Sequence, residues 1–352
     1  METKDLLMLS SGKGVIIALI DSGIDTENPV LTSALWQNGG EIFDDGIDND
    51  ENGYIDDTNG WNFGDQNNLI KDRNGHGTNV AGILLQCAPD AKLMPLKINL
   101  GNSNTFYTNS VVDALYYAVN AGVDVINMSL SLIEESSAVK NAVQYAVNRG
   151  VMVVSAAGNS HSGITFPGTM EELITVGAST ADGRAILWNS PAGRTIDITA
   201  PGKDVQTIGL GGDTAFVTGT SFSTPMISGA IAVLLGMNHA LKPETIGNLI
   251  FHNAKDLGDD GRDDLFGWGL LSGKGIKESA MPSIIAVPVI TKTKNVPSIF
   301  EISCYLPPTD SNTDVYIALV KNQKTDRDNY EDRDNYEDRD SYEDGDSYED
   351  GD

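Results

Sequence analysis

The chain has 352 residues, of which 40% are hydrophobic and 21% are charged, a balance that is ordinary for a soluble globular protein. A chain of this length is long enough to form one large domain with its own hydrophobic core and a small additional segment. The net charge of −27 argues against nucleic acids and anionic membranes as partners. The two cysteines, Cys87 and Cys304, exclude a disulfide framework and match no metal-ligand spacing.

The first residues, METKDLLMLSSGKG, lack the basic start, long apolar region and cleavage site of a secretion signal. No continuous apolar run reaches the roughly 18 residues that a membrane-spanning helix needs. As written, the chain is therefore expected to be cytoplasmic. We also expect it to be a monomer. The alternative is a secreted protein whose upstream part is missing from this sequence.

Apolar runs that suit strands buried on both faces alternate with helical patterns along the chain. The strand-like runs are VIIALI, which ends before Asp21, VDVINMSL (123–130), VMVVSAAG (151–158) and LITVGAS (173–179). The helical patterns are NSVVDALYYAVNAG, with Asn109 or Ser110 as N-cap, and SSAVKNAVQYAVNRG, which ends at Gly150. This alternation predicts an α/β fold with a doubly wound, mostly parallel sheet flanked by helices. In such sheets, the functional residues lie at the C-terminal ends of strands and at the helix starts that follow.

The block DDGIDNDENGYIDD (44–57) holds seven acidic residues and no basic one. Within it, DNDENG (48–53) places oxygen-bearing side chains at alternate positions before a glycine, as at the start of an EF-hand-type loop. Position 12 of such a loop is Asn59 instead of a bidentate glutamate. A solvated loop is one interpretation. The other is a structural Ca²⁺ site of the loop type, with the ligands Asp48, Asp50, Asn52, Tyr54 (through its carbonyl) and Asp57.

The segment GTSFSTP (219–225) places four hydroxyl groups between a glycine and a proline. One of them is a candidate nucleophile only if a base, an orienting acid and an oxyanion donor exist elsewhere in the chain. The best of the four histidines is His76, because the glycines that flank it allow another segment to approach the ring closely. For His161, His239 and His252, a structural role is the better interpretation.

An acid and an amide each follow a predicted buried strand. Asp21 ends the first strand and could orient an imidazole, although such an acid is often only a turn former. Asn159 follows VVSAAG and could donate to an oxyanion, or could simply occupy a left-handed turn. Each of these signals is weak alone.

Together, DSGID, NGHGT, SAAGN and GTSFSTP resemble the four signature segments of the subtilisin-like serine proteases, in that family's order. The resemblance covers roughly residues 12–280 and implies a serine endopeptidase that acts on peptides or proteins and needs no cofactor for catalysis. It implies Ser221 as nucleophile, His76 as general base and then acid, and Asp21 as the residue that orients the imidazole. Asn159 and the backbone N–H of Ser221 are implied as the oxyanion hole. We expect Ser221 at the start of a helix, with Pro225 in its first turn.

The resemblance also implies two walls of an S1 pocket, which receives the substrate side chain before the cleaved bond. The implied substrate-binding residues are Ser129, Leu130 and Ser131 on one wall and Ala156, Ala157 and Gly158 on the other. The family usually has Ser-Leu-Gly in the first wall, so we expect Ser131 to narrow the rim. Phe222 stands where the family has a methionine beside the nucleophile.

The predicted organisation is a peptidase domain over residues 1–280, a small β-rich segment over 281–324 and a disordered tail over 325–352. The last 27 residues form an acidic repeat with 14 Asp or Glu and three Arg, which cannot bury enough surface to fold. Two rival functions remain open. They are a catalytically silent peptide-binding module and a calcium-binding adhesion protein.

Overall fold

The computed structural model describes residues 3–160, 163–183, 190–284, 289–292 and 300–303. The helices are α1 (Thr3–Leu7), α2 (Pro29–Ser33), α3 (His76–Cys87), α4 (Thr108–Asn120), α5 (Ser137–Asn148), α6 (Thr220–Met237), α7 (Pro243–Phe251) and α8 (Gly273–Ile284). The strands are β1 (Ile16–Asp21), β2 (Trp61–Asn62), β3 (Lys92–Lys97), β4 (Val125–Met128), β5 (Met152–Ala156), β6 (Ile174–Ser179), β7 (Ile198–Pro201), β8 (Val205–Ile208), β9 (Thr214–Val217), β10 (Val289–Lys292) and β11 (Phe300–Ser303). A single 3₁₀ turn covers Leu210–Gly212.

The prediction of a mostly parallel sheet flanked by helices is confirmed. Seven strands form one sheet in the order β2-β3-β1-β4-β5-β6-β7, and its neighbouring strands run parallel. Strands β8 and β9 form a separate antiparallel pair just before α6. The four predicted apolar runs correspond to β1, β4, β5 and β6, and the chain therefore brings the C-terminal ends of these strands to one edge.

Strand β1 is buried on both faces because a layer of helices covers each side of the sheet. Ile17 and Leu19 belong to the core that also contains α3 and α6, whereas Ala18 and Ile20 belong to the core that contains α4 and α5. This arrangement explains why the sequence of β1 is continuously apolar instead of alternating.

Sequence reasoning missed β3, which lies beside β1 although it contains Pro95. The backbone of Leu93 bonds outward from β1 to Ala34 and Trp36, and the carbonyl of Lys97 bonds outward to Phe63. Pro95 lies between these two positions, so its missing N–H also falls on the outer side of β3. Strand β2 is too short to reach it, and the proline therefore costs no hydrogen bond within the sheet.

The predicted N-cap of α4 at Asn109 or Ser110 is wrong. The helix begins at Thr108, and its N-cap is Tyr107, which makes no side-chain capping bond. The hydroxyl of Ser110 donates instead to the carbonyl of Phe63, 3.0 Å away, and so ties α4 to the segment after β2. A tertiary contact has taken the side chain that local sequence would assign to a cap.

Helix α6 is long and apolar enough to cross a membrane by length and composition, and 83% of it is buried inside the protein. It contacts α3 and the strands β4, β5, β6 and β7, so it is the central core helix. Its hydropathy therefore reflects burial in the protein core, and it places its first residues against the C-terminal ends of these strands.

Near the C-terminus, α8 runs to Ile284 and crosses the predicted boundary between residues 280 and 281. Beyond it, β10 and β11 pair antiparallel. The rest of the predicted β-rich segment, the acidic tail, Cys304 and His161 lie outside the described residues. The division into domains stays a prediction.

Candidate active site

Asp21 and His76 meet at the C-terminal end of β1. Asp21 is the last residue of β1 and is 5% exposed, and His76 is the first residue of α3. Oδ1 of Asp21 lies 2.8 Å from Nδ1 of His76 and also accepts the backbone N–H of Ser22 at 2.7 Å. Helix α3 approaches β1 closely at Gly77, where an added Cβ would lie 2.2 Å from the carbonyl oxygen of Gly23. A glycine after the histidine is therefore required for this contact.

A second buried carboxylate, Asp72, holds the segment that leads into α3. Its Oδ1 accepts hydrogen bonds from the backbone N–H groups of Asn74 and Gly75 and from the hydroxyl of Ser22. Its Oδ2 accepts both the N–H and the hydroxyl of Thr78, at 2.9 and 2.7 Å. Sequence reasoning missed Asp72. The stretch DRNGHGT could have indicated Asp72, because an acid just before a helix can accept hydrogen bonds from the first N–H groups of that helix.

Opposing effects set the pKa of His76. Burial lowers the pKa, whereas the charge and hydrogen bond of Asp21 and the charge of Asp72 raise it, and the net direction is above the ordinary value. Lys97, the last residue of β3, is 3% exposed and donates to the carbonyl of Ser22 at 2.8 Å. Burial lowers the pKa of Lys97, and the charge of Asp72 acts against this.

Ser221 is the second residue of α6, as expected from the sequence. Its hydroxyl donates to the carbonyl of Ser129 at 3.3 Å, and the hydroxyl of Ser129 donates to the carbonyl of Ser221 at 2.7 Å. Pro225 lies inside the helix rather than in its first turn, which corrects the expectation from the sequence. Because proline has no N–H, it leaves the carbonyl of Ser221 without its intrahelical donor, and the hydroxyl of Ser129 takes that place.

Asn159 lies beside the first turn of α6. Its Oδ1 accepts the backbone N–H of Thr220 at 2.9 Å and the hydroxyl of Thr220 at 3.1 Å. The same hydroxyl bonds to the carbonyl of Gly158 at 3.0 Å. These bonds fix the amide with its oxygen toward the helix and leave its NH₂ group available to a ligand.

Phe222 packs against the imidazole, with ring centroids 5.3 Å apart. The side chain is 8% exposed and belongs to the core between α3 and α6. It therefore restrains the histidine ring from the side of α6.

The expected substrate-binding residues lie at the ends of adjacent strands. Residues 129–131 follow β4 and residues 156–158 end and follow β5, and β4 and β5 pair in parallel. Ser221 bonds to the first stretch and Thr220 bonds to the second, so the start of α6 lies between the two. The structure thus brings these two stretches together with Asp21, His76, Asn159 and Ser221.

The acidic block folds into a loop that gathers three carboxylates. One oxygen from each of Glu41, Asp50 and Asp57 lies within 4.8 Å of the others. The amide of Asn52 bridges Asp50 and Asp57 at 3.1 and 3.0 Å. Asp48 instead accepts the backbone N–H groups at positions 52 and 53.

The remaining predicted ligand, Tyr54, packs edge-on against the rings of Trp61, Phe63 and Tyr117. The hydroxyl of Tyr117 donates to Asp57 at 2.5 Å, which anchors the loop to α4. Sequence reasoning missed Glu41 because it lies before the acidic block.

Comparisons with known proteins show the family to which this chain is similar. A model of the Subtilase family matches residues 12–269. An intracellular serine protease of Paenibacillus polymyxa is 31% identical over 260 residues, which cover 68% of this chain and 74% of the relative. Subtilisin Savinase of Lederbergia lenta is 32% identical over 272 residues, which cover 74% of this chain and 90% of the relative. The crystal structure of a cold adapted subtilisin-like serine proteinase matches with a TM-score of 0.63 and 26% identity, over 75% of this chain and 90% of that one.

The fold and these matches define the class of protein: the chain belongs to the subtilase family. It is a subtilisin-like serine peptidase, and its activity is that of a serine endopeptidase.

Proposed function

We propose that the chain hydrolyses peptide bonds through an acyl-enzyme on Ser221. His76 takes the proton of the Ser221 hydroxyl while the oxygen attacks the carbonyl carbon, and it gives this proton to the leaving amine as the C–N bond breaks. His76 then deprotonates a water molecule, which attacks the ester carbonyl. The proton returns to the serine oxygen when the ester bond breaks, so the enzyme is regenerated and the peptide is divided into an amine and an acid.

The observation that carries this proposal is the 2.8 Å contact between Asp21 and Nδ1 of His76, on the carboxyl edge where α6 begins. A carboxylate on Nδ1 holds the proton there and leaves Nε2 as the basic nitrogen. The Ser221 hydroxyl bonds to the Ser129 carbonyl at 3.3 Å, which is a long bond. The proposed mechanism requires the serine side chain to exchange this bond for one to Nε2 of His76. Catalytic hydrogen bonds of this kind are often long without substrate and tighten when substrate binds.

Negative charge on the substrate oxygen needs donors that are already in place. The bonds from Thr220 to Oδ1 of Asn159 leave its NH₂ group to donate to this oxygen. The backbone N–H of Ser221 is in the first turn of α6, where N–H groups have no partner within the helix. Asn159 and Ser221 N are therefore the proposed oxyanion hole.

The acidic loop is proposed to hold a structural Ca²⁺ ion. Carboxylate oxygens are the hard ligands that this ion prefers, and three that lie within 4.8 Å repel one another unless a cation or donors offset their charge. Glu41, Asp50 and Asp57 are the proposed carboxylate ligands. The NH₂ group of Asn52 faces Asp50 and Asp57, so its side chain would have to turn for the oxygen to bind the ion. Because the loop lies between the segments of Asp21 and His76, a bound ion would stabilise the site from outside and supply no chemistry.

Peptides or proteins are the substrates of the family, and they are proposed as the partners of this chain. A cytoplasmic location also stays a proposal. The intracellular serine protease of Paenibacillus polymyxa among its relatives supports it.

Labelling with a fluorophosphonate, which reacts with activated serines, tests the proposed chemistry. We expect one label, on Ser221, and loss of both labelling and peptide hydrolysis in Ser221→Ala. Ser223→Ala is the matched control, because Ser223 is two residues away and bonds to the carbonyl of Ala200. It should keep its label. Peptide hydrolysis by pure Ser221→Ala at a rate near that of the wild type would refute the proposal.

A further inference from the structure

The position of the substrate side chain before the cleaved bond follows from the contacts of Ser221. This residue bonds to Ser129 on one side, and its neighbour Thr220 bonds to Gly158 and Asn159 on the other. A carbonyl placed over the Ser221 oxygen, with its own oxygen toward Asn159, directs the adjoining side chain into the space between residues 129–131 and 156–158. We call this space the S1 slot.

A third segment connects the two walls of the S1 slot. The backbone N–H of Leu132 donates to the carbonyl of Phe166 at 2.8 Å, and the N–H of Thr165 donates to the carbonyl of Ala157 at 2.9 Å. Residues 165 and 166 therefore lie between the walls and bond to both. The side chain of Thr165 is held by Ser131, whose hydroxyl oxygen is 2.6 Å from its own, and it also bonds to the carbonyl of Ala157 at 3.3 Å.

The side chain of Thr165 fills the space against Gly158. A Cβ added to Gly158 would lie 2.3 Å from the hydroxyl oxygen of Thr165 and 3.0 Å from its methyl carbon. Below it, Ala156 and Ala157 are only 2% and 0% exposed, so little of the wall is open to a ligand. An aromatic side chain buries about 150–250 Å² and cannot enter without displacing Thr165.

We propose that Thr165 and Ser131 restrict this peptidase to substrates with alanine or glycine before the cleaved bond. The inference rests on the proposed function, because it uses Ser221 and Asn159 to locate the substrate. The hydrogen bond between the two hydroxyl groups joins the walls across the slot and holds the Thr165 side chain in place. The restriction therefore depends on the bulk of Thr165 and on its attachment to Ser131.

Wild-type specificity is the first test and needs no variant. A library of peptides that differ only in the residue before the cleaved bond is incubated with the full chain, and the new termini are read by mass spectrometry. We expect kcat/KM for alanine to exceed that for phenylalanine or leucine by at least about 100-fold, since one methylene in a pocket already changes kcat/KM by about 10–200-fold. Equal or better cleavage after phenylalanine would overturn the inference.

Two substitutions separate bulk from hydrogen bonding. Thr165→Gly should raise kcat/KM for phenylalanine relative to alanine by about 10-fold or more. Thr165→Val keeps the bulk and loses the hydroxyl bond to Ser131, so it should raise the phenylalanine-to-alanine ratio less than Thr165→Gly does. Thr169→Gly is the matched control, because Thr169 is an exposed residue four positions away, and it should leave the specificity unchanged.

The outcomes distinguish this inference from the proposed function. If no peptide is cleaved and no fluorophosphonate labels Ser221, the proposed function fails and the inference fails with it. If peptides are cleaved and Ser221 is labelled but large residues are accepted, only the inference fails. If Thr165→Gly does not fold, Ser131→Gly gives the second variant, and an unchanged ratio in a labelled sample of it would contradict the role of the hydroxyl pair.

Discussion

Replacing Asp72 with alanine should destabilise the protein and disturb the proposed base without touching it. Asp72 accepts five hydrogen bonds, from Ser22, Asn74, Gly75 and twice from Thr78. The hydroxyl groups among these donors can rotate toward other acceptors. The backbone N–H groups cannot, because they belong to the turn that leads into α3 and to the first turn of the helix.

The expected loss follows from the donors that remain buried. The N–H groups of Gly75 and Thr78 both bond to Asp72 in buried positions. Each buried N–H group that loses its acceptor costs about 1–3 kcal/mol, so the two together predict a fall in the free energy of unfolding of about 2–6 kcal/mol. Removal of this carboxylate also leaves the buried ammonium group of Lys97 with less compensating charge, which acts in the same direction. For a domain whose total stability is typically about 5–15 kcal/mol, this loss is large.

Urea unfolding followed by tryptophan fluorescence measures this loss, and the rate of fluorophosphonate labelling reports on His76 in the same samples. Asp213→Ala, at an exposed aspartate, is the matched control and should change neither quantity. A loss below about 1 kcal/mol in Asp72→Ala, which is the lower limit for one stranded donor, would refute the reasoning. Normal stability with slow labelling would show that Asp72 acts on the histidine by charge alone.

Three further predictions concern the base, the neighbouring ring and the acidic loop. Because Asp21 helps to raise the pKa of His76, the acidic limb of the kcat/KM profile should lie above the ordinary histidine value of about 6.5. Asp21→Asn should move this limb to lower pH and lower kcat by about 10⁴-fold. An acidic limb that stays at the same pH in the variant would contradict this prediction. The contribution of the raised pKa to stability should be complete below pH 6.5 or so and should be lost as the pH rises through the folded-state value. Peroxide should inactivate the wild type slowly, because Phe222 carries no sulfur, whereas Phe222→Met should become sensitive; rapid loss in the wild type would indicate Met226 instead. Calcium at about 100 times its Kd should raise the free energy of unfolding by about 2.7 kcal/mol, and EDTA should reverse this; a melting temperature that is identical in both conditions would refute a site in residues 41–57.

The fold class and a set of candidate site residues could both be predicted from the amino-acid sequence. Continuous apolar runs predict strands buried on both faces, and such strands require parallel pairing with helices on each side, so β1, β4, β5 and β6 could be predicted without the structure. Asp21, His76 and Ser221 could be proposed as site residues because DSGID, NGHGT and GTSFSTP together resemble signature segments of the subtilisin-like serine proteases, whereas each residue alone is a weak signal. Local sequence carries the strand signal because a strand that is buried on both faces needs a continuous apolar run, which can be read directly along the chain.

The side chains that support the site and the shape of the S1 slot depend on contacts that appear only once the chain is folded. Asp72 bonds mainly to residues 74–78, and only its bond to Ser22 joins it to a distant segment. Lys97 and Thr165 act through contacts with segments far away in the chain, and no local pattern predicts them. The same holds for Pro95, which is tolerated because its missing N–H faces outward, and for Pro225, whose place inside α6 frees a carbonyl for Ser129. The physical reason is common to all of them: a buried polar group or a filled cavity is specified by its partners in space.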